Sequence, residues 1–121
     1  MFKEALTSII ERTEGALAAL IMGTDGIAVE KVLLPEGGEA NLDIAAAEVT
    51  SLVRNAQRTG SDTGLGDLRE ILTCYADMTL VARLFTRDYF VVLALRPDGN
   101  IGRARFELRK AELSLAREFA L

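Results

Sequence analysis

Histidine and tryptophan are absent from this 121-residue chain, cysteine occurs once and proline twice. Without histidine there is no Ser-His-Asp or Cys-His nucleophile, and the commonest metal ligand is missing. Cys74 stands alone, so no internal disulfide is expected. It lies in an apolar, strand-like run and reads as a small buried hydrophobe, with no histidine to activate its thiol. No stretch approaches the roughly 20 apolar residues of a membrane-spanning helix; the longest runs are like Phe90 to Leu95. The N-terminus carries Lys3 and Glu4 and has no apolar segment of the secretory kind, so a cytoplasmic location is expected.

A coherent positive footprint is missing too. Lys and Arg total 14 against 18 Asp and Glu, and the two signs are interspersed. Only the last predicted helix is locally basic, through Arg103, Arg105, Arg109 and Lys110, and it also carries Glu107 and Glu112. Nucleic acid is therefore not an expected partner. The acids are scattered. Asp62 and Asp67 flank a glycine-rich stretch but no acid series of calcium-loop spacing follows. Gly60-Ser61-Asp62-Thr63-Gly64-Leu65-Gly66 lacks the Gly-Lys-Ser/Thr ending of a phosphate loop and precedes a strand, so it reads as a linker. No convergent acid–base set is visible, and neither catalysis, a metal nor a cofactor is expected.

Half of the residues are apolar and they are spread along the whole length, enough for one domain with a real core. Phe2, Ala5, Leu6, Ile9, Ile10 and Thr13 recur at helical spacing, with charges on the other face, and this helix ends at Gly15. Ala16 to Met22 is apolar without interruption, as in a strand buried on both sides. Thr24-Asp25-Gly26 makes a hairpin turn. Ile27 to Leu33 carries Glu30 and Lys31 and reads as an edge strand. After the loop Pro35 to Glu39, Asn41 or Asp43 caps a helix from about Leu42 to Arg58 that stops near Gly60. Ser61 to Gly66 is a flexible connection. Leu68 to Tyr75, Thr79 to Phe85 and Tyr89 to Leu95 form an antiparallel meander, the last strand central because it has no polar position. A final helix runs from about Gly102 to Phe119, with Ala104, Leu108, Ala111, Leu115 and Phe119 as its inner stripe. The order α-β-β-α-β-β-β-α specifies an α+β sandwich: a mainly antiparallel sheet with helices on both faces.

The middle helix is the informative element. Ala45, Val49, Leu52, Val53 and Ala56 form a core stripe. Beside it lie Ala46, Ala47, Thr50, Ser51, Arg54 and Gln57, mostly small where a solvated face carries Lys and Glu. Small residues let helix backbones approach, so Ala46, Ala47, Thr50 and Ser51 are expected to pack on a second copy across a two-fold axis. The strand Leu68 to Tyr75 mixes apolar and charged groups on both faces. As an edge it invites a twin strand, with Arg69, Glu70, Ile71 and Thr73 in the seam and Arg69 and Glu70 pairing across it.

Gly15-Ala16-Leu17-Ala18-Ala19-Leu20-Ile21-Met22, followed by Thr24-Asp25-Gly26-Ile27-Ala28-Val29, resembles the first hairpin of roadblock-domain proteins, relatives of a dynein light chain and of bacterial MglB. Phe90 to Leu95 with Asn100-Ile101-Gly102-Arg103-Ala104-Arg105-Phe106 resembles the family's last strand and helix start. The resemblance spans essentially the whole chain. It implies a profilin-like fold with a five-stranded sheet, and homodimers joined through the third strand and middle helix. It also implies a Ras-like small GTPase as partner, docked near Arg54, Gln57 and Arg58 without a donated catalytic arginine. The sequence stops with the last helix whereas gliding-motility MglB proteins carry a further tail, so a scaffold that binds without activating is as open as a GTPase activator. The competing reading is a small-ligand sensor, for which Arg83, between Val81 and Phe85, is the sole candidate polar group inside the core; a charge at the sheet surface is the plainer account of it.

Overall fold

A computed structural model of the chain describes residues 2–37 and 39–119. Helix α1 (Phe2–Arg12) leads into strands β1 (Ala16–Gly23) and β2 (Ala28–Leu33). A single 3-10 turn, Pro35–Gly37, precedes the long helix α2 (Glu39–Thr63). Strands β3 (Glu70–Cys74), β4 (Thr79–Leu84) and β5 (Tyr89–Leu95) follow, and α3 (Ile101–Phe119) ends the fold. The five strands form one sheet in the order β2-β1-β5-β4-β3. Every pairing is antiparallel.

The positions in the sheet follow from composition. β1 and β5 lack polar side chains apart from Tyr89, and they lie inside the sheet, buried along nearly their whole length. β2 and β3, which carry charges, are the two edges. Alternate residues feed two cores. Ala19, Ile21, Val81, Val91, Leu93 and Leu95 face α1 and α3. Ala18, Leu20, Leu80, Ala82, Phe90 and Val92 face α2. Two helices therefore cover one face of the sheet and a single helix covers the other. Each fully buried side chain of this size contributes roughly 1.5–3 kcal/mol, Phe90 at 0% exposure among them.

Both chain-end helices are pinned by an aromatic cluster. Phe119 stacks on Tyr89 and Phe2 with ring centroids 4.1 and 4.9 Å away, and tilts against Phe85 at 5.3 Å. The α1–β1 turn touches the β5–α3 turn at Gly15, whose φ is 87° and whose carbonyl accepts from Arg96 N at 2.9 Å. A Cβ there would meet Gly99 Cα at 2.5 Å, so two independent constraints select glycine.

Helix α2 departs from the sequence expectation at both ends. It begins at Glu39, so Asn41 and Asp43 lie inside it and do not cap it. Its preceding residue, Gly38, falls outside the described residues. At the other end it runs through Gly60 and takes in Ser61 to Thr63, half of the expected flexible connection. Gly60 does not break the helix, because its missing side chain makes room for the Gly66 carbonyl as the chain doubles back. The stop comes at Gly64, with φ 71°. Leu65 N donates to Gly60 O at 3.0 Å, the six-to-one bond of a Schellman cap. β3 is shorter than expected, starting at Glu70 and ending at Cys74.

Candidate interaction surface

The chemistry of the surface begins with the hydrogen-bonding phase of β3. Leu84 N donates to Arg69 O at 3.0 Å and Tyr75 N to Met78 O at 2.8 Å. The antiparallel register places Ile71 opposite Ala82 and Thr73 opposite Leu80. Hydrogen-bonded pairs alternate along such a ladder. Arg69, Ile71, Thr73 and Tyr75 thus spend their backbone groups on β4, while those of Glu70, Leu72 and Cys74 point away from the sheet at an edge with no neighbour. Thr73 Oγ1 is buried with no hydrogen-bond partner among the described residues.

The small-residue face of α2 divides on folding. Ala47 and Ser51 are exposed. Ala46 and Thr50, expected to meet a second copy, are each 3% exposed within a single copy and pack inward. Thr50 tolerates burial because its Oγ1 donates to Ala46 O at 2.9 Å within its own helix. Leu52, expected in the core stripe, is instead 41% exposed, and Ile44 reaches 65%. The exposed face of α2 therefore presents Ile44, Ala47, Ser51 and Leu52.

Charge on β3 is used within the chain. Glu70 pairs with Arg105 at 2.8 Å and lies 3.8 Å from Arg83, which in turn holds Glu112 at 2.8 Å. Within a single copy Glu70 is thus already engaged by Arg105, and Arg69 is exposed. Arg83 sits on the α3 side of β4, partly buried, bonded to Glu112 and 3.8 Å from Glu70 Oε1, which has no hydrogen bond of its own among the described residues. That is the sheet-surface account, with the guanidinium engaged by acids of this chain. Cys74, expected in the core, is exposed, since it lies at the end of the open strand.

The three expected docking residues lie on the C-terminal half of α2 but differ in what they do. Arg54 Nη1 donates to Thr24 O at 3.4 Å, and Gln57 Nε2 to Arg87 O at 2.9 Å. Both fasten the helix to the two hairpin tips. Arg58 is exposed. Beside them an open cleft of about 870 Å³ separates the end of α2 from the segment 64–69 and the β4–β5 hairpin, with Gln57, Gly60, Asp67, Arg69, Thr86 and Arg87 on its walls. Sequence reasoning missed this cleft, because it depends on the chain doubling back at Gly64. Among the described residues no cluster of three metal-ligating side chains occurs, and no helix is long and apolar enough to cross a membrane.

No protein-family model matches the chain, and no curated protein does. Solved structures do match. MglC from Myxococcus xanthus shares 34% identity over 97% of this chain and 98% of its own, with a TM-score of 0.73. A Roadblock/LC7 domain from Streptomyces avermitilis shares the fold at TM-score 0.84 and 14% identity, covering 98% of this chain and 97% of that one. An MglB with a tetrameric arrangement aligns at TM-score 0.85 and 23% identity, covering 98% and 89%. With strand order, element order and near-complete coverage in agreement, the chain belongs to the roadblock family of MglB-like domains.

Proposed function

We propose that this protein is a homodimeric scaffold that binds and regulates a Ras-like small GTPase. The observation that carries the reading is the open β3 edge, with the backbone groups of Glu70, Leu72 and Cys74 unspent. An antiparallel twin strand satisfies all of them and makes one ten-stranded sheet from two five-stranded ones. The neighbouring exposed apolar side chains of α2, Ile44 and Leu52, give a second copy something to cover. The buried, unpartnered Thr73 hydroxyl fits a seam that is completed from outside. The tetrameric arrangement of one solved MglB is in keeping with self-association in this fold.

The GTPase is proposed from the family resemblance, and exposed Arg58 is the docking residue least tied to the fold. Sedimentation equilibrium at micromolar concentration tests the dimer, and a strict monomer defeats it. Pull-downs with GTP-loaded and GDP-loaded small GTPases test the partner, with capture weakened by Arg58→Glu. Failure with both nucleotide states removes the GTPase and leaves the dimer standing.

A further inference from the structure

The fold sorts the charges that sequence leaves mixed on α3. Glu107 turns inward, 2% exposed, and is held by Arg103 at 2.6 Å and Lys110 at 3.2 Å. Glu112 is tied to Arg83 on the sheet. What remains on the outward face is apolar and cationic. Phe106 and Leu113 are 51% and 66% exposed. They stand seven residues apart, about 10 Å along one side of the helix. Arg103 and Lys110 lie over the Phe106 ring at 5.3 and 5.7 Å. Arg109 and Arg117 are exposed on the same side, with no ion pair among the described residues. A chain of net charge −4 thus keeps one outward strip free of acids.

This strip borders the open edge. Helix α3 lies over β4 and β5, and α1 over β1 and β2. Leu72 and Cys74, exposed, share the α3 side of β3 with Glu70, which bonds Arg105. The inference rests on the homodimer proposed above. A two-fold axis normal to the sheet keeps both α3 helices on one side of a β3–β3 junction. Three to four strand spacings then separate them, about 14–19 Å, against the 8–10 Å of closely packed helices. The result is a channel floored by Leu72 and Cys74, its walls carrying Arg105 and Arg109, with the acids Glu70 and Glu112 already tied to Arg105 and Arg83.

We infer that this channel docks an acidic, amphipathic polypeptide segment, with apolar side chains against Leu72, Phe106 and Leu113 and carboxylates on Arg109 and Arg117. Charge complementarity selects the acid, and the paired apolar side chains select an amphipathic chain. An anionic bilayer fits less well, because the flanking α1 helices expose Glu4 and Glu11 as well as Lys3 and Arg12 on the same side of the sheet and so add no net positive charge.

The test uses the full chain and a fluorescein-labelled peptide of about 16 residues, four helical turns, with Leu at helical spacing among Glu. Fluorescence anisotropy is expected to show saturable binding that fades as salt rises from about 0.05 to 0.5 M. A scrambled peptide of the same composition is expected to bind at least about tenfold more weakly, and so is the patterned peptide to an Arg109→Glu/Arg117→Glu variant that still melts and sediments like the parent. Equal affinity for the scrambled peptide, equal affinity of the variant, or no binding overturns the inference. Preference for vesicles with about 30 mol % phosphatidylserine over the peptide overturns it in favour of a membrane. Sedimentation on the same samples separates the two readings: a dimer that ignores the peptide sinks only this inference, and a monomer sinks the dimer itself.

Discussion

Replacing Leu72 with proline probes the open edge while sparing the ladder to β4. The Leu72 N–H points away from the sheet, so proline at this position removes no hydrogen bond from a single copy. Its fixed φ costs about 1 kcal/mol, and a chain of this length loses roughly 4 °C of Tm per kcal/mol. In a twin-strand dimer the same change deletes one N–H from each copy. Each lost bond is worth about 0.5–1.5 kcal/mol, and each carbonyl left facing a ring adds a further 1–3 kcal/mol or so of unrelieved desolvation. Even the low end of that range, about 3 kcal/mol per dimer, raises Kd by about two orders of magnitude. Sedimentation velocity over a concentration series reads the Kd, and circular dichroism reads the Tm. Thr73→Pro is the paired control. Its N–H belongs to the β4 ladder, so it should cost about 3 kcal/mol or more in the single copy and lower Tm by roughly 12 °C. A Leu72→Pro protein with the parent's Kd, or two proline variants that behave alike, refutes the edge assignment.

Phe90→Ala empties the centre of the α2-side core and should cost about 3–5 kcal/mol, lowering Tm by some 12–20 °C in a thermal melt. Phe119→Ala removes three ring contacts and should cost about 2–4 kcal/mol, with loss of near-ultraviolet circular dichroism from Tyr89. Gly64→Ala forces a left-handed φ on a side-chain-bearing residue and should cost about 1–2 kcal/mol in chemical denaturation. Arg83→Met leaves Glu112 without its partner, while Glu70 keeps Arg105, and should cost about 1–3 kcal/mol; Arg83→Met combined with Glu112→Leu should recover part of that loss.

Most of the architecture was legible because contrast in the sequence was high. Phe90 to Leu95 has no polar position, and β5 lies at the centre of the sheet. Glu30 and Lys31 mark β2 as an edge, which it is. Legibility fell where contrast fell. The alanine-rich α2 offers the helical wheel little to distinguish one face from the next, so Val49 and Val53 lie in the core as the stripe requires while Leu52 faces outward and Ala46 inward. Thr50 looked like a surface residue because its internal hydrogen bond depends on the helix existing first. Gly60 looked like a stop signal, yet glycine answers equally to a close backbone approach, and Gly66 supplies one. Glu107 is buried because two cations, four residues before it and three after it, wrap over its carboxylate. The open edge itself could be anticipated, but the split between inward-bonding and outward-bonding residues of β3 required the register with β4.

The unequal covering of the sheet bears on how the molecule behaves when scarce. A helix is about 10 Å across and five strands span about 19 Å, so a pair of helices roofs one side while a lone helix leaves margins on the other. Leu33 and Ile71 sit at those margins, only partly hidden. On the proposed pairing of β3 edges, dilution should lower the melting temperature, because a solitary copy leaves the Ile71 margin open.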